Sequence, residues 1–161
     1  MAECKNIMVY VETAEGNPVK VGLEMLSPAK KLADKVTAVV IGGGVADAAK
    51  EVAKAGADQV ICVDSEDYKE FNLDAYAQVL VELVKEENPE AVFVGGTQDG
   101  KDIAPVVAAK CNTGCASDVL DIKAEDGEVI YTCPLYGGTV LEDVKIKTTP
   151  QIATLRSGAF Q

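Results

Sequence analysis

The sequence predicts an α/β fold, a three-layer sandwich with a parallel, Rossmann-like sheet and an antiparallel C-terminal extension. Two observations predict it. Four short apolar runs, at residues 6–12, 36–41, 59–64 and 91–94, alternate with stretches of helical periodicity up to residue 110. Beyond that point the alternation stops, and strand-like runs at 116–122, 128–133, 140–147 and 152–155 follow one another, with Asp126-Gly127 as a hairpin signal and Gly137-Gly138 as a second turn or bulge.

The opening strand, 6–12, is apolar nearly throughout, as a central parallel strand covered on both faces should be. Gly16-Asn17-Pro18 turns the chain. From 21 to 35 the apolar residues Met25, Leu26, Ala29, Leu32 and Ala33 recur at helical spacing with lysines opposite them, and Pro28 predicts a kink or a restart after Ser27. The second strand, 36–41, closes on Gly42-Gly43-Gly44. This triple-glycine turn is a weak anion-binding candidate, because Asp47 stands where a dinucleotide fingerprint needs its last glycine. A helix at 45–54 buries Ala48, Ala49 and Val52 and ends at Gly56. After the strand at 59–64, the acidic run 65–70 reads as solvated surface. Asn72 caps the clearest helix, 72–87, whose buried stripe is Leu73, Tyr76, Ala77, Leu80 and Val84; Asn88-Pro89 stops it.

The fourth strand, 91–94, leads into a glycine turn, Gly95-Gly96-Thr97, and then a helix containing Pro105. Only a first helical turn can spare an N–H, so the proline predicts a helix starting near 101–104, with Asp99 or Asp102 as its N-cap. A turn of this kind at the carboxyl end of a parallel sheet is where α/β proteins place nucleotides, which makes Gly95, Gly96, Thr97, Asp99, Gly100 and Asp102 candidate cofactor-binding residues. A capped βα turn without ligand is the other reading. Asp99 and Asp102 favour that second reading, because they put negative charge where a phosphate would sit and Lys101 offsets only one of them. The same two carboxylates could hold a metal or a ribose hydroxyl, but with no further ligand nearby they read as caps, and no metal site is expected.

The 161 residues suit a single domain, and 48% hydrophobic residues suit a globular class. Fifteen basic residues against 26 acidic ones give a formal charge of -11, which argues against nucleic acid or an anionic membrane as partner. No apolar run spans a membrane and no signal peptide is legible, so a cytoplasmic protein is expected. Five cysteines (Cys4, Cys62, Cys111, Cys115 and Cys133) read as buried or half-buried reduced thiols, and Cys111 with Cys115 is a weak candidate redox pair. With no histidine and no nucleophile motif, the chain does not read as a hydrolase.

The opening I-M-V-Y-V-E, Gly56-Ala57-Asp58, the block V-G-G-T-Q-D-G-K-D-I-A-P at 94–105, Ser117-Asp118-Val119, P-L-Y-G-G-T at 134–139 and T-L-R-S-G-A-F at 154–160 carry a resemblance. Together they resemble the N-terminal domain of electron transfer flavoprotein alpha subunits over almost the whole chain and in that family's order. The resemblance implies a sheet of the adenine nucleotide alpha hydrolase-like kind. It also implies a heterodimeric electron carrier without catalytic residues in this domain, linking acyl-CoA or similar dehydrogenases to an acceptor. In that family FAD lies in a second, C-terminal domain, and AMP or a second FAD lies mainly in the beta subunit. Residues 1–161 are thus expected to be a single N-terminal domain lacking the FAD domain, with no cofactor of its own and a vestigial loop at 95–105. Its expected role is to scaffold assembly with the beta subunit, through the antiparallel extension and the segment Arg156, Ser157, Gly158 and Phe160. An apolar interface without its partner would favour a homodimer. The alternative is a free-standing adenine-nucleotide module of the universal stress protein type, although Gly95, Gly96 and Gly100 do not keep that family's spacing.

Overall fold

The computed structural model describes residues 4–161. The chain begins with β1 (Cys4–Tyr10), the two-residue strands β2 (Thr13–Ala14) and β3 (Asn17–Pro18), α1 (Lys20–Glu24), α2 (Leu26–Leu32), β4 (Ala33–Gly42), α3 (Ala46–Lys54) and β5 (Gln59–Asp64). It continues with α4 (Leu73–Glu87), β6 (Ala91–Gly95), α5 (Gln98–Lys110), β7 (Cys115–Val119), β8 (Asp121–Glu125), β9 (Glu128–Leu135), β10 (Val140–Val144) and β11 (Gln151–Leu155).

Six strands form one parallel sheet in the order β5, β4, β1, β6, β11, β7. Its two faces carry separate cores. Ile7, Val9, Val36, Ala38, Val40 and Phe93 meet α1, α2 and α3 on one side; Met8, Tyr10, Val39, Ile41, Val92 and Val94 meet α4 and α5 on the other. Successive residues of a strand point to opposite faces, so a strand buried on both sides must be apolar without a break. Large side chains such as Leu26, Leu80 and Phe93 are wholly buried, each contributing about 1.5–3 kcal/mol to the driving force for folding.

The antiparallel extension is a three-stranded sheet, β10, β9, β8, whose Val129, Tyr131 and Cys133 join the first core. Tyr131 packs edge-on to Phe93, ring centroids 6.4 Å apart, and donates its hydroxyl to Gln151 Oε1 at 2.8 Å. This aromatic contact and half-buried hydrogen bond help to anchor the extension to the parallel sheet. Asp126 and Gly127, both at positive φ, form the predicted hairpin turn.

The structure departs from the sequence reading at five places. The helix predicted over 21–35 breaks at Met25 rather than after Ser27, which puts Pro28 in the first turn of α2, where a missing N–H costs nothing. That helix ends at Leu32. The run 116–122 is two strands: β7 joins the parallel sheet and β8 the antiparallel one, with Asp118 at φ +59 beside a shift in register. The run 152–155 is β11, paired in parallel between β6 and β7. It is buried on both faces, but it follows directly on the hairpin strands, and nothing local signals which sheet a strand will join. The helix after β6 starts at Gln98 and holds Pro105 in its interior. Cys62 is exposed because β5 is an edge strand, whereas Cys4 and Cys133 are buried and Cys111 and Cys115 half-buried.

Candidate functional site

The sheet order reverses at β1. From there the chain winds outward through β4 and β5, then returns to place β6 on the other side of β1. The crevice between the carboxyl ends of β1 and β6 is thus the topological switch point, where open parallel sheets bind their ligands. Glu12 follows β1, and Thr97 and Asp99 follow β6; the nearby crevice lies mainly over the ends of β1 and β4, lined by Tyr10, Glu12, Ile41, Gly42 and Gly43, with Asp99 reaching it from the β6 side.

Thr97, not an aspartate, is the N-cap of α5: its Oγ1 accepts from the Gly100 amide at 3.0 Å. The same hydroxyl donates to Glu12 Oε2 at 2.5 Å. One side chain thereby closes the helix end and ties β1 to β6. The expected capping by Asp99 or Asp102 is corrected. Asp99 lies in the first turn and faces the crevice, and Asp102 is exposed on the helix, accepting from Gln98 Nε2 at 3.2 Å. The cap was misplaced because Pro105 was read as first-turn, whereas packing of Ile103, Ala104, Val107 and Ala108 against the sheet holds the helix together through the proline.

The glycines of this turn answer to packing. A Cβ on Gly100 would lie 1.9 Å from the Gly95 carbonyl oxygen, and one on Gly95 would lie 2.6 Å from Val21 Cγ1. Gly96 donates its amide to the Leu155 carbonyl at 2.8 Å, and a Cβ there would meet that oxygen at 3.0 Å. The same holds at the triple-glycine turn, where Gly42 backs onto Val45 and Gly43 onto Lys69. Gly96, Gly100 and Gly43 are explained by close backbone approach and Gly95 and Gly42 by valine side chains, while Gly44 meets open space and is explained by its φ of +71.

Electrostatics point the same way. Burial raises the Glu12 carboxyl above its ordinary range; the Thr97 hydrogen bond opposes this, and Asp99 pushes it further up. Burial, then the charges of Glu12 and Asp99, raise Tyr10 as well. Two acidic groups near one helix N-terminus repel a further anion, so the residues present do not fit a flavin or nucleotide phosphate in this crevice.

Arg156 leaves β11 and forms a two-pronged ion pair with Asp118, its Nε donating to Oδ1 at 2.8 Å and its second nitrogen to Oδ2. Ser157 and Gly158 are exposed, and Phe160 is half-buried against the first core. The Gly158 amide donates to Glu24 Oε2 at 3.0 Å, pinning the segment to α1. The backbone entering this segment lies against the 95–100 turn, a Cβ on Gly96 falling 3.6 Å from Arg156 Cα, while the Arg156 side chain pairs with Asp118. Beyond both lies the tip between β9 and β10, where Leu135, Tyr136, Val140 and Leu141 are exposed, Tyr136 at 83%.

Sequence reading missed Glu12, Tyr10, Asp118 and Glu24. Glu12 alone carried a signal, a charged residue ending an apolar strand next to a predicted ligand crevice; Asp118 meets Thr154 and Arg156, 36 and 38 residues away, and Glu24 meets Gly158, 134 residues away. Among the described residues no group of three or more histidine, cysteine, aspartate and glutamate side chains could hold a metal ion, and no helix is long and apolar enough to cross a membrane. Burial raises the Cys111 and Cys115 thiols, which disfavours the reactive thiolate.

Parallel sheet, switch-point crevice and glycine turn define a Rossmann-like α/β domain whose ligand crevice is lined by carboxylates. A family model described as an electron transfer flavoprotein domain matches residues 7–161. Protein FixB of Clostridium saccharobutylicum is 36% identical over 168 residues, covering 100% of this chain and 50% of that protein. The electron transfer flavoprotein subunit alpha of Clostridium acetobutylicum is 36% identical over 167 residues, 99% of this chain and 50% of that protein. The subunit of the same name from Syntrophomonas wolfei is 38% identical over 153 residues, 95% of this chain and 48% of that protein. The chain belongs to the electron transfer flavoprotein family, with the alpha subunits as its relatives. It spans about half the length of the curated relatives it matches.

Proposed function

We propose that this domain is an assembly scaffold of an electron transfer flavoprotein, docking a beta subunit while the flavin chemistry is done elsewhere in the heterodimer. The observation that carries this reading is the apolar tip of the antiparallel sheet. Leu135, Tyr136, Val140 and Leu141 expose large apolar surface on a sheet whose other face is committed to the core, and surface of that kind marks a protein interface. The segment Arg156 to Phe160, held in place by Asp118 and Glu24, is the second contact region. The carboxylate-lined crevice supports a domain that binds no nucleotide of its own. Through the full complex the partners are acyl-CoA or similar dehydrogenases, with FAD and either AMP or a second FAD as the heterodimer's cofactors.

Titration of the chain with a beta subunit, followed by calorimetry, tests the reading. Tyr136→Asp should weaken association at least tenfold while leaving the circular dichroism spectrum unchanged, and equal affinity of the variant would sink the assignment. The position of the crevice at the switch point favours one other reading, an adenine-nucleotide module. Release of near-stoichiometric nucleotide on denaturing the purified chain would establish that reading instead.

A further inference from the structure

We propose that Asp126 is a site of spontaneous covalent modification, at which the Asp126-Gly127 turn converts to an isoaspartyl linkage through a cyclic succinimide. An aspartyl carboxyl is attacked by the amide nitrogen of the next residue, and glycine permits the attack best because no Cβ shields its backbone. Aspartate precedes glycine at 99–100 and at 126–127. The two pairs differ in what holds the attacking amide. The Gly100 amide donates to Thr97 Oγ1 at 3.0 Å in the first turn of α5, and Gly100 is buried. Asp126 and Gly127 are both exposed, at φ +53 and +77, in the two-residue turn between β8 and β9. In such a turn the closing pair, Glu125 and Glu128, takes the hairpin's hydrogen bonds, and the Gly127 amide is left facing solvent.

The step needs no oxidant, reductant or cofactor. The Gly127 nitrogen bonds to Asp126 Cγ, and its hydrogen leaves with the carboxyl hydroxyl as one water. Water then opens the ring. Attack at the side-chain carbonyl restores aspartate; attack at the former main-chain carbonyl breaks that carbon–nitrogen bond and leaves the chain running through Cβ and Cγ. The isoaspartyl form lengthens the turn by one carbon and frees an α-carboxylate. Because the turn sets the register of β8 on β9, the Glu125–Glu128 pair must open. Glu128 also pairs with Lys145 at 2.9 Å, and the next residue, Val129, is buried in the first core, so the change reaches the anchor of the extension directly. This site stands whether or not the domain assembles with a beta subunit.

The test ages the intact chain at physiological temperature and pH and follows its tryptic peptides 124–145 and 86–101 by mass spectrometry. Isoaspartate is scored by methyl transfer from S-adenosylmethionine with a protein isoaspartyl methyltransferase. It should accumulate in 124–145 at least about tenfold faster than in 86–101, where Asp99 reacts only when α5 opens locally. The aged fraction should lose hydrogen-exchange protection at the Glu125 and Glu128 amides. Asp126→Asn and Asp126→Gly both keep residues that favour this turn, so both should fold. The first should react faster and release ammonia in place of water; the second should abolish the signal in 124–145. Equal rates in the two peptides, no isoaspartate in 124–145, retained protection at Glu125 and Glu128 in the modified protein, or a signal persisting in Asp126→Gly would overturn the proposal.

Discussion

Arg156 and Asp118, 38 residues apart, face each other fork to fork at the edge of the parallel sheet. The Thr154 hydroxyl accepts from the Asp118 amide at 2.8 Å and the Arg156 amide donates to the Val119 carbonyl at 2.9 Å, so side chains and backbone lock the ends of β7 and β11 together. Both side chains are half-exposed. Arg156→Ala should therefore change stability little, with a double-mutant cycle against Asp118→Ala showing a coupling that shrinks as salt is raised. Its larger effect should be on assembly: a several-fold loss of affinity for a beta subunit by calorimetry, because the segment after Arg156 loses its fixed exit angle. Unchanged affinity would remove Arg156 from the proposed interface.

Gly100→Ala is expected to be the most damaging small substitution in the chain. The new methyl carbon would sit 1.9 Å from a backbone oxygen that cannot swing away, so the β6–α5 turn must open, at a cost of about 3 kcal/mol or more by urea denaturation. Gly44→Ala is the control. Its Cβ meets open space and only the positive φ of +71 is strained, so about 1 kcal/mol is expected.

Glu12 gives stability a pH dependence of definite sign. Its carboxyl is raised above the unfolded value, so the folded state holds the proton more tightly. The stabilisation is fully present below the ordinary carboxylate range and is lost as pH rises through the raised value. In Glu12→Gln that fall should flatten while the hydrogen bond from Thr97 survives. Urea midpoints measured across this range would refute the assignment if wild type and variant ran parallel.

Pro105 interrupts the hydrogen-bond ladder of α5 on its exposed side. Pro105→Ala restores the N–H and should stabilise by about 1–2 kcal/mol, the helix gain being partly offset by a freer unfolded chain. A loss of stability in urea would show that the ring is packed to advantage.

Much of the architecture was legible in the residues themselves. Strands β1, β4 and β6 announced themselves as apolar runs because both their faces are buried, β5 did so as a half-buried edge strand, and α4 through its stripe and its Asn72 cap, whose side chain accepts from the Ala75 amide at 3.0 Å. Local chemistry also placed the glycine turn after β6 and the Asp126-Gly127 hairpin. These features depend on neighbours a few residues away, and sequence records such neighbours directly.

What the tertiary structure alone decided is which long-range partner each residue meets. Whether β11 lies in the parallel sheet is settled by its pairing with β6 and β7, not by its own four residues. Whether Thr97 or an aspartate caps α5 is settled by Glu12, 85 residues away, which accepts a hydrogen bond from the threonine hydroxyl while packing against the sheet keeps Pro105 inside the helix. The sequence by itself determined the fold class and the family's signature segments. The carboxylate-lined crevice, the Arg156–Asp118 lock and the exposed tip at Tyr136 arise only on folding, because hydrogen bonds and charges act over a few ångströms of space however far apart the residues lie along the chain.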